Sequence, residues 1–219
     1  IGGTSGPPTP AADDKPLVYI NVTPSAVTSD QTYELTLHEV RCNGASVNHV
    51  IGGKATVRPS FSLNVSVAYY TDAKKPVSGV TIQAGEKSGQ TDARGQLVLA
   101  GIPTNSVTVH ALLGLGTLEL PEYVNANDAA LVLKYSVGTQ ELSGYQKLAA
   151  DVNGDGAVNE ADASLILQIA VEKYPAFPLV PVWCFDPASK AMTLGSSNNA
   201  QFTAILMGDV DGSWGGSAQ

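Results

Sequence analysis

The chain has 219 residues and a formal net charge of −8, with only 12 Lys plus Arg and no basic cluster. This charge balance argues against nucleic acid as a partner. The sequence has no apolar run of about eighteen residues, so we expect no transmembrane segment.

Residues 1–15 are rich in Gly, Pro and Thr, a composition that is typical of a linker. Because the chain starts with Ile1 and not with Met, we expect a processed product or a portion of a larger protein. The folded part of the chain is therefore expected to begin near residue 16.

Residues 16–57 read as strands of an incomplete β-sandwich. Tyr33, Leu35 and Leu37 alternate with polar residues, which predicts one buried and one solvated face. The chain then returns through a glycine pair to a strand near residues 53–57. This block is similar to the last strands of a cohesin-type domain. Either the strands before it are missing or another chain supplies them by strand pairing, with residues 16–23 (PLVYINVT) as a donated or receiving strand.

Residues 58–113 show short strand patterns separated by the turns KKP, DARG and PTNS, which predict a small β-sandwich. The block resembles carboxypeptidase-regulatory-like, prealbumin-type modules, which serve as spacers or binding platforms without peptidase activity. The residues that carry the resemblance are Gly79–Ile82, Thr91, Asp92, Gly95, Gly101–Pro103 and Val107–Val109.

A repeat follows, in which residues 124–138 (VNANDAALVLKYSVG) return as residues 158–172 (VNEADASLILQIAVE), 34 residues later. Each copy has an Asn near its start that is placed to cap a helix. Apolar residues at helical spacing come next, so the repeat predicts two equivalent helices. These apolar residues are Leu131, Leu133 and Tyr135 in the first copy and Leu165, Ile166 and Ile169 in the second.

The segment before the second predicted helix, DVNGDGAVNEAD, has the pattern of a twelve-residue cation loop. Oxygen side chains recur at the spacing that a calcium loop needs, and glycine stands at its sixth position. The alternative is an Asn/Gly-rich surface turn that binds nothing. The predicted ligands are Asp151, Asn153, Asp155, the Ala157 carbonyl, Asn159 directly or through water, and Asp162.

This duplicated loop and helix resembles the dockerin family over about residues 114–175. The resemblance implies an EF-hand-type calcium module that docks onto cohesin modules and assembles secreted polysaccharide-degrading complexes. It also implies that calcium is structural. At loop positions ten and eleven, where dockerins often encode partner choice, the two copies hold Ala126–Asn127 and Glu160–Ala161, which argues against two equivalent binding faces.

The first copy lacks an ordinary calcium loop, since Thr117, Glu119 and Pro121 replace its first acidic positions. In the tail, residues 176–219, two strands are expected to pack on the dockerin-like module, and the closing sequence GDVDGSW begins like another loop. The tail carboxylates therefore predict a second calcium site together with the first copy; the alternative is a solvated turn capped by a packed Trp214. The residues of this second site are Asn125, Asp128, Asp209 and Asp211.

The two cysteines, Cys42 and Cys184, either form a disulfide in an oxidising compartment or pack as buried thiols.

The composition favours a secreted or cell-surface protein, because cysteine is scarce, Gly, Ser, Thr and Val are abundant, and a calcium loop is present. The three histidines, His38, His49 and His110, lie in separate segments and no nucleophile motif is present. We therefore expect a chain without catalytic activity.

The sequence thus predicts a multidomain protein with a mainly β N-terminal half, an α-helical dockerin-like module and a short β tail. Two functions remain open. The first is a calcium-folded attachment module for a cohesin-like partner. The second is a structural subunit of a filament or surface layer that pairs with further copies of itself by strand exchange. An exposed apolar stripe on the repeat helices favours docking, whereas a stripe covered by the tail favours an internal structural domain.

Overall fold

The structure is a computed structural model that describes residues 27, 29–36, 41–42, 45–46, 53–114, 116 and 119–215. The linker expected before residue 16 and the strand expected at residues 16–23 lie outside this part of the chain. The strands are β1 (Gln31–Leu35), β2 (Arg41–Cys42), β3 (Ala45–Ser46), β4 (Gly53–Val57), β5 (Phe61–Tyr69), β6 (Asp72–Pro76), β7 (Thr81–Ala84), β8 (Lys87–Gln90), β9 (Gln96–Ile102), β10 (Ser106–Leu112), β11 (Trp183–Asp186), β12 (Ser189–Thr193) and β13 (Asn199–Leu206). The helices are α1 (Leu120–Tyr123), α2 (Ala126–Ser136), α3 (Gly144–Ala150) and α4 (Glu160–Ala170).

Residues 61–112 and 183–206 form two sheets, here called the two-sheet region. One sheet has the strand order β12-β10-β7-β8, and the other has the order β11-β13-β5-β6 with β9 also paired to β5. Alternate residues of β5 are buried, because a strand directs successive side chains to opposite faces. Leu63 of β5 and Ile82 of β7 belong to the same apolar core. The β character that the sequence predicts for residues 58–113 is confirmed, while the prealbumin-type likeness stays a prediction.

The sequence analysis expects the tail strands to pack on the dockerin-like module; β13 contacts α3, but the tail strands pair with strands of the two-sheet region. β12 pairs with β10, and β13 lies parallel to β5, with Asn199 opposite Asn64 and Ala204 opposite Tyr69. The reason is that β5 carries a buried apolar face and needs a strand on either side, and β13 has the matching alternation. The helical part of the chain is thus an insertion between β10 and β11, and the tail completes both sheets.

The ribbon formed by β1 and β4 shows a second difference. The two strands pair over five residues, as the predicted return through the glycines requires. However, the buried face expected on β1 is absent: Tyr33 and Leu35 are 52% and 45% exposed, and Leu37 lies outside the described residues. Strand alternation indicates two unlike faces, but it does not ensure that a second layer covers the apolar one.

The helical region, residues 119–175, contains the two helices of the repeat, and α2 contacts α4. Asn125 and Asn159 cap these helices as predicted, and each forms a reciprocal capping box with an aspartate three residues later. Val132 and Ile166, which occupy equivalent positions of the repeat, are fully buried. Among the described residues, none of the helices is long and apolar enough to cross a membrane.

Cys184 lies on β11, where it pairs with Ile205 of β13. Its thiol is free and half-buried. The side chain of Cys42 lies outside the described residues. The free thiol corresponds to the alternative in which the cysteine packs as a small apolar side chain, and burial raises the pKa of Cys184.

Candidate metal centre

The predicted loop, residues 151–162, connects α3 to α4, and we call it the continuous loop. α3 starts at a capping box between Ser143 and Gln146, and its C-terminal cap is Asp151, the first predicted ligand. At the other end the Asn159 side chain accepts a hydrogen bond of 2.8 Å from the Ala161 N–H and caps α4. Helix caps therefore fix both ends of the loop.

Backbone N–H groups of this loop donate to its own acidic side chains. Asp151 accepts at Oδ1 from Gly154 (2.9 Å) and Asp155 (3.1 Å), and at Oδ2 from Gly156 (2.9 Å). Asn153 Oδ1 accepts from the Asp155 N–H at 2.8 Å. Gly156 has φ +82°, a value that glycine adopts without the steric cost of a Cβ atom. The oxygen side chains are thus ordered along one tight turn.

Asp162, the twelfth residue of the loop, is the most buried of its predicted side-chain ligands, with no exposed surface. Its Oδ1 accepts from the N–H groups of Val152 (3.1 Å) and Asn153 (3.3 Å), and its Oδ2 accepts from the Asn159 N–H (3.0 Å). Burial raises the pKa of Asp162, although these hydrogen bonds act in the opposite direction. The carboxylate therefore joins the start of the loop to the first turn of α4.

A second acidic group lies at the start of α2. Asp128, Asp209 and Asp211 each place a carboxylate oxygen within 4.8 Å of the other two. Asp128 and Asp209 are fully buried, and Asp211 is exposed. The structure thus brings together three of the four residues of the predicted second site. The fourth, Asn125, uses its side chain to cap α2 by accepting from the Asn127 N–H at 2.9 Å.

The hydrogen bonds of Asp128 repeat those of Asp162. Its Oδ1 accepts from the N–H groups of Val210 (2.8 Å) and Asp211 (3.0 Å), and its Oδ2 accepts from the Asn125 N–H (2.8 Å). Because Asp128 precedes Asp162 by one repeat length, residues 210–211 occupy the place of residues 152–153 in the continuous loop.

Asp209 in turn repeats two of the three backbone contacts of Asp151. Its Oδ1 accepts from the Ser213 N–H (2.8 Å) and its Oδ2 from the Trp214 N–H (2.9 Å). Asp211 Oδ1 also accepts from the Ser213 N–H. The equivalent bond in the continuous loop runs from the Asp155 N–H to Asn153 Oδ1. Gly212 has φ +73°, the same value as Gly154.

The two pieces meet where the Ser213 hydroxyl donates to the Tyr123 carbonyl at 3.2 Å. Tyr123 precedes Ala157 by one repeat length, so its carbonyl corresponds to the seventh position of the continuous loop. Residues 209–214 and residues 123–128 together reproduce the loop geometry from two distant segments. We call this arrangement the split loop.

The split loop concentrates negative charge in a buried place. Burial raises the pKa of Asp128 to about 7, against hydrogen bonds from the Asn125 and Asp211 N–H groups that lower it. Burial likewise raises the pKa of Asp209, while the Tyr69 hydroxyl, which donates to Asp209 Oδ2, lowers it in part. Oxygen-only donors with this charge suit a hard divalent cation, which would stabilise the ionised carboxylates.

A separate surface feature lies on the outer side of the repeat helices. Leu133 and Leu167, which occupy equivalent repeat positions, are 42% and 41% exposed, and Val137 and Val171 are both 71% exposed. We call these four residues the α2–α4 face. No tail strand pairs or packs closely with α2 or α4 among the element contacts of the described residues. The helical spacing predicts Leu133 as one of the apolar residues of α2, but it does not predict that this side chain is exposed.

Of the three histidines, His110 falls within the described residues, where it is exposed on β10. His38 and His49 lie outside the described part of the chain.

Comparison with protein families shows that residues 122–168 match the dockerin type I domain. The match covers α2, the continuous loop and most of α4, and it confirms a dockerin-like module, a domain type that typically binds calcium and mediates protein assembly. It begins after residues 117–121, where the first copy lacks its acidic positions. No curated protein matches the chain, and no solved structure matches it either.

Proposed function

Because its helical region is a dockerin-like module, we propose that this chain is a non-catalytic, extracellular calcium-binding assembly protein that attaches to a cohesin-like partner. Its setting is a secreted complex, and polysaccharide breakdown is the context that the dockerin resemblance suggests. The observation that carries the proposal is the exposed α2–α4 face beside an ordered calcium-type loop. The exposed stripe is the feature expected of a docking module.

Calcium in the continuous loop has a structural role in this proposal. The ion is held by side-chain oxygens that the loop already orders and by the carboxylate that joins the loop to α4. Bound calcium thereby stabilises the helix that presents half of the α2–α4 face. The proposed ligands are Asp151, Asn153, Asp155, the Ala157 carbonyl and Asp162, with Asn159 direct or water-mediated.

A second calcium ion is proposed for the split loop. Its ligands are Asp128, Asp209 and Asp211, with the Tyr123 carbonyl at the seventh position. The support is the repetition of the hydrogen bonds of the continuous loop: all three backbone donors to Asp162 have counterparts around Asp128, and two of the three backbone donors to Asp151 have counterparts around Asp209. Asn125 contributes the helix cap and positions Asp128 through its N–H group.

The docking proposal is tested by binding the full chain to a panel of purified cohesin domains in calcium and after EGTA treatment. Leu133→Ser and Leu167→Ser should each weaken binding by roughly 3- to 10-fold, since burying a whole leucine contributes about 1.5–3 kcal/mol and docking would bury only the exposed two fifths of each side chain. Leu112→Ser on β10 is the matched control, because Leu112 is 56% exposed and lies on the two-sheet region.

Binding that survives EGTA, or that is weakened equally by the Leu112 control, contradicts a calcium-dependent dock at the α2–α4 face. Binding to none of the cohesin domains contradicts a cohesin-like partner.

The second candidate function is a structural subunit of a filament or surface layer. The observation that favours it is the β1–β4 ribbon, which is paired over five residues yet exposes Tyr33 and Leu35. A two-stranded ribbon is marginally stable alone and offers open edges for pairing. Residues 16–23 (PLVYINVT) of another copy are the proposed donated strand. Sedimentation velocity in calcium separates the candidates: concentration-dependent polymers support strand exchange, and a monomer at all concentrations contradicts it.

A further inference from the structure

The residues after β13, Met207 to Trp214, connect the two-sheet region to the helical region; we call them the C-terminal segment. The segment continues directly from β13, and its Met207 N–H donates to the Val182 carbonyl at 2.9 Å beside β11. One residue later the Gly208 N–H donates to the Ala149 carbonyl of α3 at 2.8 Å. The chain therefore passes from one region to the other within two residues.

Two tyrosines at the end of β5 and just after it hold the segment from the side of the sheets. The Tyr69 hydroxyl donates to Asp209 Oδ2, and the Tyr70 hydroxyl donates to the carbonyls of Asp209 (2.7 Å) and Val210 (3.2 Å).

The helical region holds the same segment from the opposite side. The Gln146 amide of α3 donates to the Val210 carbonyl at 3.0 Å. The Asp128 carboxylate of α2 accepts from the N–H groups of Val210 and Asp211. The first half of the split loop therefore follows β13 directly in the chain, while its backbone is hydrogen-bonded to side chains of α2 and α3.

Aromatic packing fixes the end of the segment. Trp214 is 1% exposed, and its ring centroid lies 4.8 Å from that of Tyr69 and 5.2 Å from that of Trp183. Lys75 Nζ lies 4.9 Å and 5.3 Å from the ring centroids of Tyr69 and Trp214. The position of Asp209 thus depends on side chains of β5 and β11 and not on the repeat alone.

We propose that the two-sheet region and the helical region form one calcium-dependent unit, in which the sheets supply half of the first repeat's calcium loop through the C-terminal segment. The inference rests on the proposed calcium binding at the split loop. Calcium held between Asp209 and Asp128 bridges the two regions, so any opening that separates them must release the ion. The bound ion thereby stabilises strands that contribute none of its ligands.

The test is hydrogen–deuterium exchange of the full chain, without calcium and with calcium at about 100 times its dissociation constant. Calcium should slow exchange in β5 and β13 by up to roughly 100-fold for openings that separate the regions. Asp209→Asn should abolish this slowing while exchange in α4 stays calcium-sensitive. Asp151→Asn, which alters the equivalent position of the continuous loop, is the matched control and should preserve the slowing in β5 and β13.

If calcium slows exchange only in residues 151–170, the proposed calcium module stands and the bridge between the regions is refuted. The same holds if Asp209→Asn retains the slowing in β5 and β13. Calcium without effect anywhere in the chain refutes the proposed function itself. Should Asp209→Asn fail to fold, Asp211→Asn carries the same expectation, because Asp211 is exposed and contributes one carboxylate to the split loop.

Discussion

The continuous loop offers a perturbation that separates calcium binding from loop folding. Asp151 and Asp155 each accept backbone N–H groups through their carboxylates. Asn retains one oxygen acceptor but removes the negative charge, so Asp151→Asn combined with Asp155→Asn should preserve much of the turn and lose affinity for the cation.

The magnitude follows from linkage between binding and folding. An ion that binds only the folded state at 100 times its dissociation constant stabilises that state by about 2.7 kcal/mol. For a chain of this size each kcal/mol shifts the melting temperature by about 2–4 °C, so calcium in this loop should raise it by roughly 5–11 °C. The double variant should lose this increment while its melting temperature in EGTA stays close to that of the unmodified chain.

The assay is thermal unfolding followed by circular dichroism, with and without calcium, for both proteins. Asp92→Asn combined with Asp186→Asn is the control, since it removes two carboxylates of the two-sheet region, away from the loop: Asp92 accepts from the Arg94 and Gln96 N–H groups, and Asp186 accepts from the Tyr145 hydroxyl. The loop assignment is refuted if the Asp151/Asp155 variant gains as much stability from calcium as the unmodified chain does.

The remaining predictions concern the split loop. In calcium-free buffer the stability of the chain should fall as pH rises from about 4 to about 7. The pKa of Asp128 is raised from 3.8 to about 7 in the folded state, so the folded state binds more protons over this range. Urea unfolding at several pH values measures this, and Asp128→Asn should flatten the slope; an unchanged slope contradicts the assignment to Asp128. Gly212→Ala should destabilise the chain by more than Gly138→Ala. Both glycines have φ +73°, but only at Gly212 would a Cβ meet a neighbour, Thr71 Cγ2 at 2.1 Å, whereas Gly138 faces open space. Equal melting temperatures for the two variants would show that the C-terminal segment is not held against Thr71.

The helix starts and the continuous loop could be predicted from sequence because their determinants are local. Asn159 and Asp162 lie three residues apart and form a capping box that any helix can use. The oxygen side chains of the loop follow a spacing that is set by one turn. The repeat then transfers the helix start to α2 without any knowledge of the fold, but not the loop, since the first copy lacks the acidic positions.

The placement of the tail could not be predicted in the same way. β13 pairs in parallel with β5 across about 135 residues, and a parallel partner is not marked by any adjacent turn. Local pattern also missed α3 and β12, and it gave β1 a buried face that nothing among the described residues covers. The sequence GDVDGSW suggests that Asp209 lies near Asp128. It does not show which groups donate hydrogen bonds to these carboxylates, because the positions of those donors depend on β5, β13 and α3 together.

Isothermal titration of the calcium-free chain with calcium chloride tests the central claim most directly. Two ions per chain are predicted, one in the continuous loop and one in the split loop, with Asp151→Asn and Asp209→Asn each removing one of them. A chain that takes up no calcium contradicts the account as a whole, and a single ion that persists in the Asp209 variant contradicts the split loop.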